Sequence, residues 1–71
     1  LDVVVETGRE TTGFEIKFSS APKVSKGFWQ ACEDIGIHKA YVMAPVQEGW
    51  AMAKDVQVVS PLDIPMLLSK R

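Results

Sequence analysis

Cysteine is nearly absent from this sequence: Cys32 is the only one among 71 residues, so no disulfide can form within one chain. A lone thiol suits the reducing cytosol, and a cytoplasmic location is expected. No apolar run approaches the roughly 20 residues that a membrane-spanning helix needs, so no membrane partner is expected. Because His38 is also the only histidine, a zinc site is not expected.

An excess of one charge is lacking as well. Eight Lys and Arg stand against nine Asp and Glu, and the formal net charge is −1 at pH 7. This balance excludes a protein that coats nucleic acid through its overall charge, although local basic clusters remain available. The 46% of apolar residues suffices for one small domain. A strand pattern begins at once in Leu1-Asp2-Val3, so we expect a C-terminal piece of a longer protein; the alternative is a small protein trimmed by a residue or two.

β-Branched and aromatic residues, separated by turn signals, predict an α/β fold built on a mixed sheet of four strands. Gly8-Arg9 is a two-residue turn of the kind that joins hairpin strands, so the first two strands should be antiparallel. A helical segment between the second and third strands predicts a right-handed crossover and a parallel pair. The expected order is 1-2-3-4, with the orientation of the fourth strand left open. The predicted strands cover residues 1–7, 10–20, 39–45 and 56–59.

The predicted crossover helix runs over residues 26–35, between a capping residue and a terminating glycine. Ser25 is suited to accept a hydrogen bond from the first turn. Gly36 fits the left-handed backbone that often follows a helix end. The inward stripe of this helix, at helical spacing, consists of Phe28, Cys32 and Ile35.

The last third of the chain predicts a loop and then a second helix. Residues 46–54 are expected to form the loop. Ser60-Pro61-Leu62-Asp63 has the capping serine, first-position proline and first-turn acid that are typical of a helix start. Because Pro65 would remove a helical hydrogen bond, we expect a tight turn at 61–64 and a short helix over about 65–70. The residues expected to pack inward from it are Met66, Leu67 and Leu68.

The Gly8-Arg9 turn also predicts the register of the hairpin, in which partners have residue numbers that sum to 17. Asp2 then lies opposite Glu15, with Cβ atoms about 4.5–5.5 Å apart, and Lys17 is the diagonal neighbour of Asp2 at about 7–8 Å. These three side chains are expected on the solvent side of the sheet. The other side is expected to be core beneath the helix, and it carries Val3, Val5, Phe14, Ile16 and Phe18.

Asp2, Glu15 and Lys17 form a set that is suited to phosphodiester cleavage. Two opposed carboxylates repel each other, so Lys17 or a divalent cation has to compensate. Mg²⁺ accepts one or two carboxylates, binds phosphate oxygens and lowers the pKa of a bound water. A neighbouring lysine can orient that water or stabilise charge on the phosphoryl group. The alternative from the pattern alone is an ordinary wet strand face with a Glu–Lys contact.

The order of motifs resembles a known family along nearly the whole chain. Asp2, the short hairpin and Glu15-Ile16-Lys17 resemble the PD-(D/E)xK signature of the restriction-endonuclease-like superfamily. FEIKFSS, KVSKGFWQACEDIGIHKAYVMAP and VQVVSPLDIPMLL together are similar to the nuclease-like C-terminal domain of a group of bacterial and archaeal AAA-type ATPases. The short motif alone is weakly specific, and the whole order is moderately specific. The resemblance implies a restriction-endonuclease-like core that lacks its N-terminal helix here.

The resemblance also implies roles for particular residues. Asp2 and Glu15 would be metal ligands together with the Ile16 carbonyl, and Lys17 would be the catalytic base or charge stabiliser. The missing N-terminal helix often contributes a further acid in this family, and such domains often look degenerate. An ATPase domain would precede this one in the chain, and ATP would bind there and not here.

Two further sets of residues have a functional and an ordinary interpretation. Lys23 and Lys26 flank the helix start, where they would contact phosphates of DNA or simply keep a loop soluble. Trp29 and Trp50 would stack on bases or take part in a core or an interface.

The sequence therefore leaves three hypotheses. The first is an Mg-dependent nuclease-like domain that acts on DNA and is attached to an ATPase. The second is a catalytically silent accessory domain that binds nucleic acid or protein for that ATPase. The third is a dimerisation module that uses the edge strand at residues 1–6. Tyr41 and Met43, on the strand face away from Ala40, Val42 and Ala44, would add an exposed patch that promotes a homodimer.

Overall fold

The computed structural model describes residues 1–63, in which one α-helix packs on one face of a five-stranded mixed sheet. The sheet order is β1-β2-β3-β5-β4. The elements are β1 (Val3–Thr7), β2 (Glu10–Ile16), α1 (Lys26–Ile35), β3 (Lys39–Met43), β4 (Trp50–Ala53) and β5 (Val56–Val59), followed by a 3-10 turn at Pro61–Asp63.

The α/β class and the first two strand pairings are as the sequence predicts. β1 pairs antiparallel with β2 in the expected register, since Val3 faces Phe14 and Thr7 faces Glu10. Gly8 has a φ of 59°, and only glycines have a positive φ among the described residues. A positive φ at the first of the two turn residues is typical of a hairpin turn that begins with glycine. β2 and β5 both pair parallel with β3.

The predicted number of strands is wrong. Within the segment expected to be a loop, Trp50–Ala53 forms β4, which pairs antiparallel with β5 and extends the sheet at its far edge. The sequence signal was weak because β4 is four residues long, contains two alanines and has a register irregularity between Ala51 and Ala53. The predicted second strand is also too long, since β2 ends at Ile16.

The predicted helix is confirmed at both ends. α1 spans Lys26–Ile35, and the Ser25 hydroxyl accepts a hydrogen bond from the Phe28 amide at 3.3 Å. Gly36 follows with a φ of 79°, and its N–H donates to the Cys32 carbonyl. Local capping thus defines this helix independently of what it packs against.

The core lies between α1 and the face of the sheet that carries the small residues of β3. Phe28 is 3% exposed and packs with alternate residues of two neighbouring strands. Cys32 and Ile37 are partly buried against the same cluster. The strand residues of this core are Ala40, Val42, Ala44, Val56 and Val58.

The face predicted to be core is instead the face that α1 leaves uncovered. The β2–β3 register places Phe14 beside Tyr41, with ring centroids 5.6 Å apart, and Glu15 beside the fully buried Val42. Strand alternation separates the two faces correctly but does not say which one a helix covers. The helix lies on the face where β3 carries its smaller side chains. The strand residues wrongly predicted to be core are Val3, Val5, Ile16 and Phe18, whose exposure ranges from 41% to 94%, and Phe14, which is half-buried. Ile35 of α1 is also predicted to point inward, but it is 48% exposed.

The predicted helix start near the end of the chain is seen as a capped 3-10 turn. The Ser60 amide donates to the Asp63 carboxylate, and the Leu62 amide donates to the Ser60 hydroxyl, both at 3.1 Å. This reciprocal pairing is that of a capping box. The predicted helix over residues 65–70, with Met66, Leu67 and Leu68, lies outside the described residues. Among residues 1–63 no helix is long and apolar enough to cross a membrane.

The two glycines at the ends of α1 provide a matched pair of substitutions. Gly36→Ala should lower the free energy of unfolding by about 1 kcal/mol, because a side chain is strained in left-handed backbone. Gly27→Ala should be neutral or stabilise by up to about 1 kcal/mol, since alanine favours helix and its Cβ meets only the Ser25 hydroxyl at 3.4 Å. Urea unfolding followed by circular dichroism measures both, and equal effects would contradict the cap assignment.

Candidate functional site

The structure brings Asp2, Glu15 and Lys17 together at one corner of the sheet. Asp2 comes just before β1, Glu15 lies near the end of β2, and Lys17 directly follows that strand. Lys17 extends the β2 pairing by one step, since its N–H donates to the Met43 carbonyl at 2.9 Å. The corner thus lies at the carboxyl end of β2, where open α/β sheets commonly bind ligands.

Asp2 closes the hairpin with its side chain. The β1–β2 ladder ends at the Val3–Phe14 pair, one pair before the predicted Asp2–Glu15 pair, and the Asp2 amide donates to the Phe14 carbonyl at 2.9 Å. The Ile16 amide points towards β1 but has no strand residue opposite it. The Asp2 carboxylate accepts this amide at 2.7 Å, so Asp2 lies beside the residue that follows Glu15.

Glu15 lies on the covered face of the sheet and contacts two nitrogen atoms. Its side chain is 15% exposed, and one carboxylate oxygen lies 3.3 Å from the Lys17 ammonium. The other oxygen, Oε1, is 3.3 Å from the backbone nitrogen of Leu1. That second contact is a charge contact only, since Oε1 is buried and no donor meets it with hydrogen-bond geometry. A buried carboxylate oxygen without a hydrogen-bond donor is costly.

Three oxygen donors lie near this corner. They comprise the Asp2 carboxylate, Glu15 Oε1 and the Ile16 carbonyl, which points to the same side of β2 as the Ile16 amide. Mg²⁺ prefers such hard oxygens and needs only one or two carboxylates. No cluster of three or more His, Cys, Asp or Glu residues is found in residues 1–63. A cation here would therefore depend on two carboxylates, one carbonyl and water.

Cys32 is a neighbour of this corner that the sequence did not reveal. Burial raises the pKa of the Cys32 thiol, the charge on the Leu1 amino group lowers it, and the Glu15 carboxylate raises it, with a net increase. Glu15 is paired with Val42, whose side chain lies on the sheet face that α1 covers, and Cys32 is partly buried against the core on that face. The helical stripe predicted that Cys32 is buried, but linking it to Glu15 required knowing which sheet face α1 covers.

The two predicted phosphate-contacting lysines lie at the same end of the sheet as the corner. α1 begins after the carboxyl end of β2 and leads back to the start of β3, so its N-terminus lies at that end. Lys26 is the first residue of α1, Lys23 lies in the preceding loop, and both are exposed. Exposed ammonium groups near a helix N-terminus favour a phosphate.

The remaining candidates take structural positions. His38 is exposed, and its Nδ1 accepts a hydrogen bond from the Thr11 amide at 3.0 Å, which links the start of β3 to β2. Trp29 is 41% exposed and packs edge-on against Phe28, with ring centroids 5.2 Å apart. Trp50 is 43% exposed on the edge strand β4. None of these three residues belongs to the corner at Asp2, Glu15 and Lys17.

Comparisons with protein-family models, curated proteins and solved structures found no match to this chain. The corner itself contains the largely buried carboxylate of Glu15, the carboxylate of Asp2 fixed by a backbone amide, and Lys17 within ion-pair distance of Glu15. Such a set can bind a divalent cation and hold a positive charge beside it.

The thiol of Cys32 reports on the charge of Glu15. The pH midpoint of Cys32 alkylation by iodoacetamide should lie higher in the folded chain than in the urea-unfolded chain, because the thiol pKa is raised. Glu15→Gln should lower the midpoint of the folded chain, since a negative charge near the thiol is removed. Asp34→Asn, a neutralised acid on the exposed side of α1, is the control and should leave it unchanged. A midpoint that does not respond to Glu15→Gln would contradict this packing.

Proposed function

We propose that this chain is a nuclease-like domain with an Mg²⁺-dependent site that cleaves phosphodiester bonds in DNA. The observation that carries this function is the corner itself, where Glu15 Oε1 is buried without a hydrogen-bond donor, Lys17 lies 3.3 Å from the other Glu15 oxygen, and the Asp2 carboxylate accepts the amide of the next residue, Ile16. An oxygen in that state is suited to a cation. The restriction-endonuclease-like resemblance of the sequence supports the same assignment for these residues.

Each residue of the corner has a distinct task in this proposal. Asp2, Glu15 and the Ile16 carbonyl would hold the ion, which supplies charge stabilisation on a phosphate oxygen and a water of lowered pKa. Lys17 is close enough to Glu15 to be held in position by it, at 3.3 Å. From there Lys17 stabilises negative charge on the phosphoryl group or orients the attacking water.

The exposed lysines at the start of α1 would bind the substrate. Lys23 and Lys26 lie at the carboxyl end of β2 and would contact the phosphates that flank the scissile bond. Such contacts position DNA without reading its sequence, and they rely on local lysines because the overall charge of the chain is −1. As the resemblance implies, this domain would be joined to an ATPase domain in the same longer protein. ATP would bind to the ATPase domain.

A second function is favoured by a different observation. The Glu15 side chain is only 15% exposed, and its two oxygens already face the Lys17 ammonium and the Leu1 nitrogen. Lysine can therefore neutralise this carboxylate without a metal. In that case the chain is a catalytically silent domain that binds nucleic acid or protein for its ATPase, and the corner only stabilises the fold.

Metal binding separates the two functions. Titration with Mg²⁺ or Mn²⁺ to millimolar concentration should shift or broaden the side-chain carboxyl NMR signals of Asp2 and Glu15. The carboxyl signals of Glu6 and Glu33, which are exposed acids on β1 and α1, serve as internal controls and should change little. Uniform small changes at all four acids would contradict a specific site and favour the silent domain.

Cleavage has its own test in the nicking of supercoiled plasmid. With Mg²⁺ or Mn²⁺ present, Lys17→Ala should lower the nicking rate by about 100-fold or more, because a charge-stabilising group is lost at the reacting phosphate. Lys39→Ala removes an exposed lysine at the start of β3 and should leave the rate unchanged. Nicking that survives in Lys17→Ala, or that needs no metal, would refute the proposed reaction.

A further inference from the structure

The two edges of the sheet differ in how well they resist pairing with another strand. β4 is four residues long and has a register irregularity between Ala51 and Ala53. β1 has five consecutive regular pairs with β2, consists of Val-Val-Val-Glu-Thr, and is exposed throughout. Proteins usually protect edge strands with bulges, prolines or charged side chains. β1 has no bulge and no proline, and Glu6 is its only charged residue.

The directions of the amides show which backbone groups of β1 are free to pair. Along β2, the Ile16 amide points towards β1 and the Lys17 amide points towards β3, so even-numbered residues of β2 bond to β1. Their partners are Val3, Val5 and Thr7. The N–H and C=O groups of Val4 and Glu6 therefore point outward from the sheet edge.

We propose that two copies of this chain pair antiparallel through β1, with the two-fold axis at Val5. A two-fold axis perpendicular to the sheet keeps each side chain on its own face. Directly opposed residues point to the same face, so their numbers are both odd or both even. The residue numbers of partners therefore have an even sum. A sum of 8 would oppose Asp2 and Glu6, and a sum of 12 would oppose two copies of Glu6, which is destabilising. A sum of 10 avoids both and pairs Val4 with Glu6 across the interface.

This register satisfies the outward backbone groups of both copies by symmetry. Val4 and Glu6 of one copy bond to Glu6 and Val4 of the other, and Val5 faces Val5 without hydrogen bonds between them. In a second copy the same outward groups recur at the same spacing, so a single register serves both copies and closes the pair. The two sheets then continue into one.

The uncovered face of the sheet gives the same pairing an apolar component. On that face exposure increases towards β1, from 1% at Val59 on β5 to 45% at Ile16 and 47% at Val3. Val5 is 41% exposed and has its side chain on this face, as does Val3. Pairing through β1 brings the most exposed parts of the two apolar faces side by side. The interface is independent of the corner at Asp2, Glu15 and Lys17 and of its proposed activity.

Disulfide cross-linking tests both the dimer and its register. In a Cys32→Ser background, Val5→Cys should oxidise to a covalent dimer, because non-bonded antiparallel partners have Cα atoms about 4.5 Å apart, within disulfide range. Val4→Cys should not, since the two copies of residue 4 would be about 8 Å apart. Non-reducing electrophoresis measures both. Equal cross-linking of the two variants, or a dimer only from Val4→Cys, would overturn the register.

The unlinked chain provides the second test. Sedimentation equilibrium should show a mass that rises with concentration towards twice that of one chain. Val4→Pro removes an outward N–H and should leave a monomer, whereas Val4→Thr keeps the donor and should dimerise. Circular dichroism of Val4→Pro checks that the sheet still forms. A wild-type chain that stays monomeric at all concentrations would refute the proposal, whatever the result for the proposed nuclease activity.

Discussion

The packing of α1 against the small residues of β3 is the constraint on which the rest of the structure depends. Ala40 and Ala44 leave room for Phe28, and the helix therefore lies on that face of the sheet. Through the β2–β3 register the same face receives Glu15, directly beside Val42. The fold thus places a largely buried carboxylate on the covered face of the sheet, and the Lys17 ammonium beside it offsets the cost of burying that charge.

The position of α1 on this face has consequences on both sides of the sheet. On the covered side, Lys17 contacts the carboxylate and Cys32 experiences its charge. On the other side, the larger apolar residues of β1 and β2 remain exposed, because no helix of the described part covers them. The candidate site and the candidate dimer interface therefore share one cause, which is the choice of face by α1.

The sequence predicts local features of this fold well. The Gly8 turn gives the hairpin register, and Ser25 with Gly36 gives both ends of α1, since each signal acts within a few residues. The choice of covered face could not be predicted in this way. Alternation in β2 separates Phe14 from Glu15 equally well for either choice, and the decision depends on β3, which is distant in sequence. The same limit hid the influence of the Glu15 charge on the Cys32 thiol.

The two proposed functions make different demands on Asp2. As a structural element, Asp2 supplies an oxygen that accepts the Ile16 amide, and an uncharged acceptor would do this equally well. As a metal ligand it must also be negatively charged. The two proposals therefore differ in what they need from Asp2, which is its charge for the cation and only an oxygen acceptor for the hairpin.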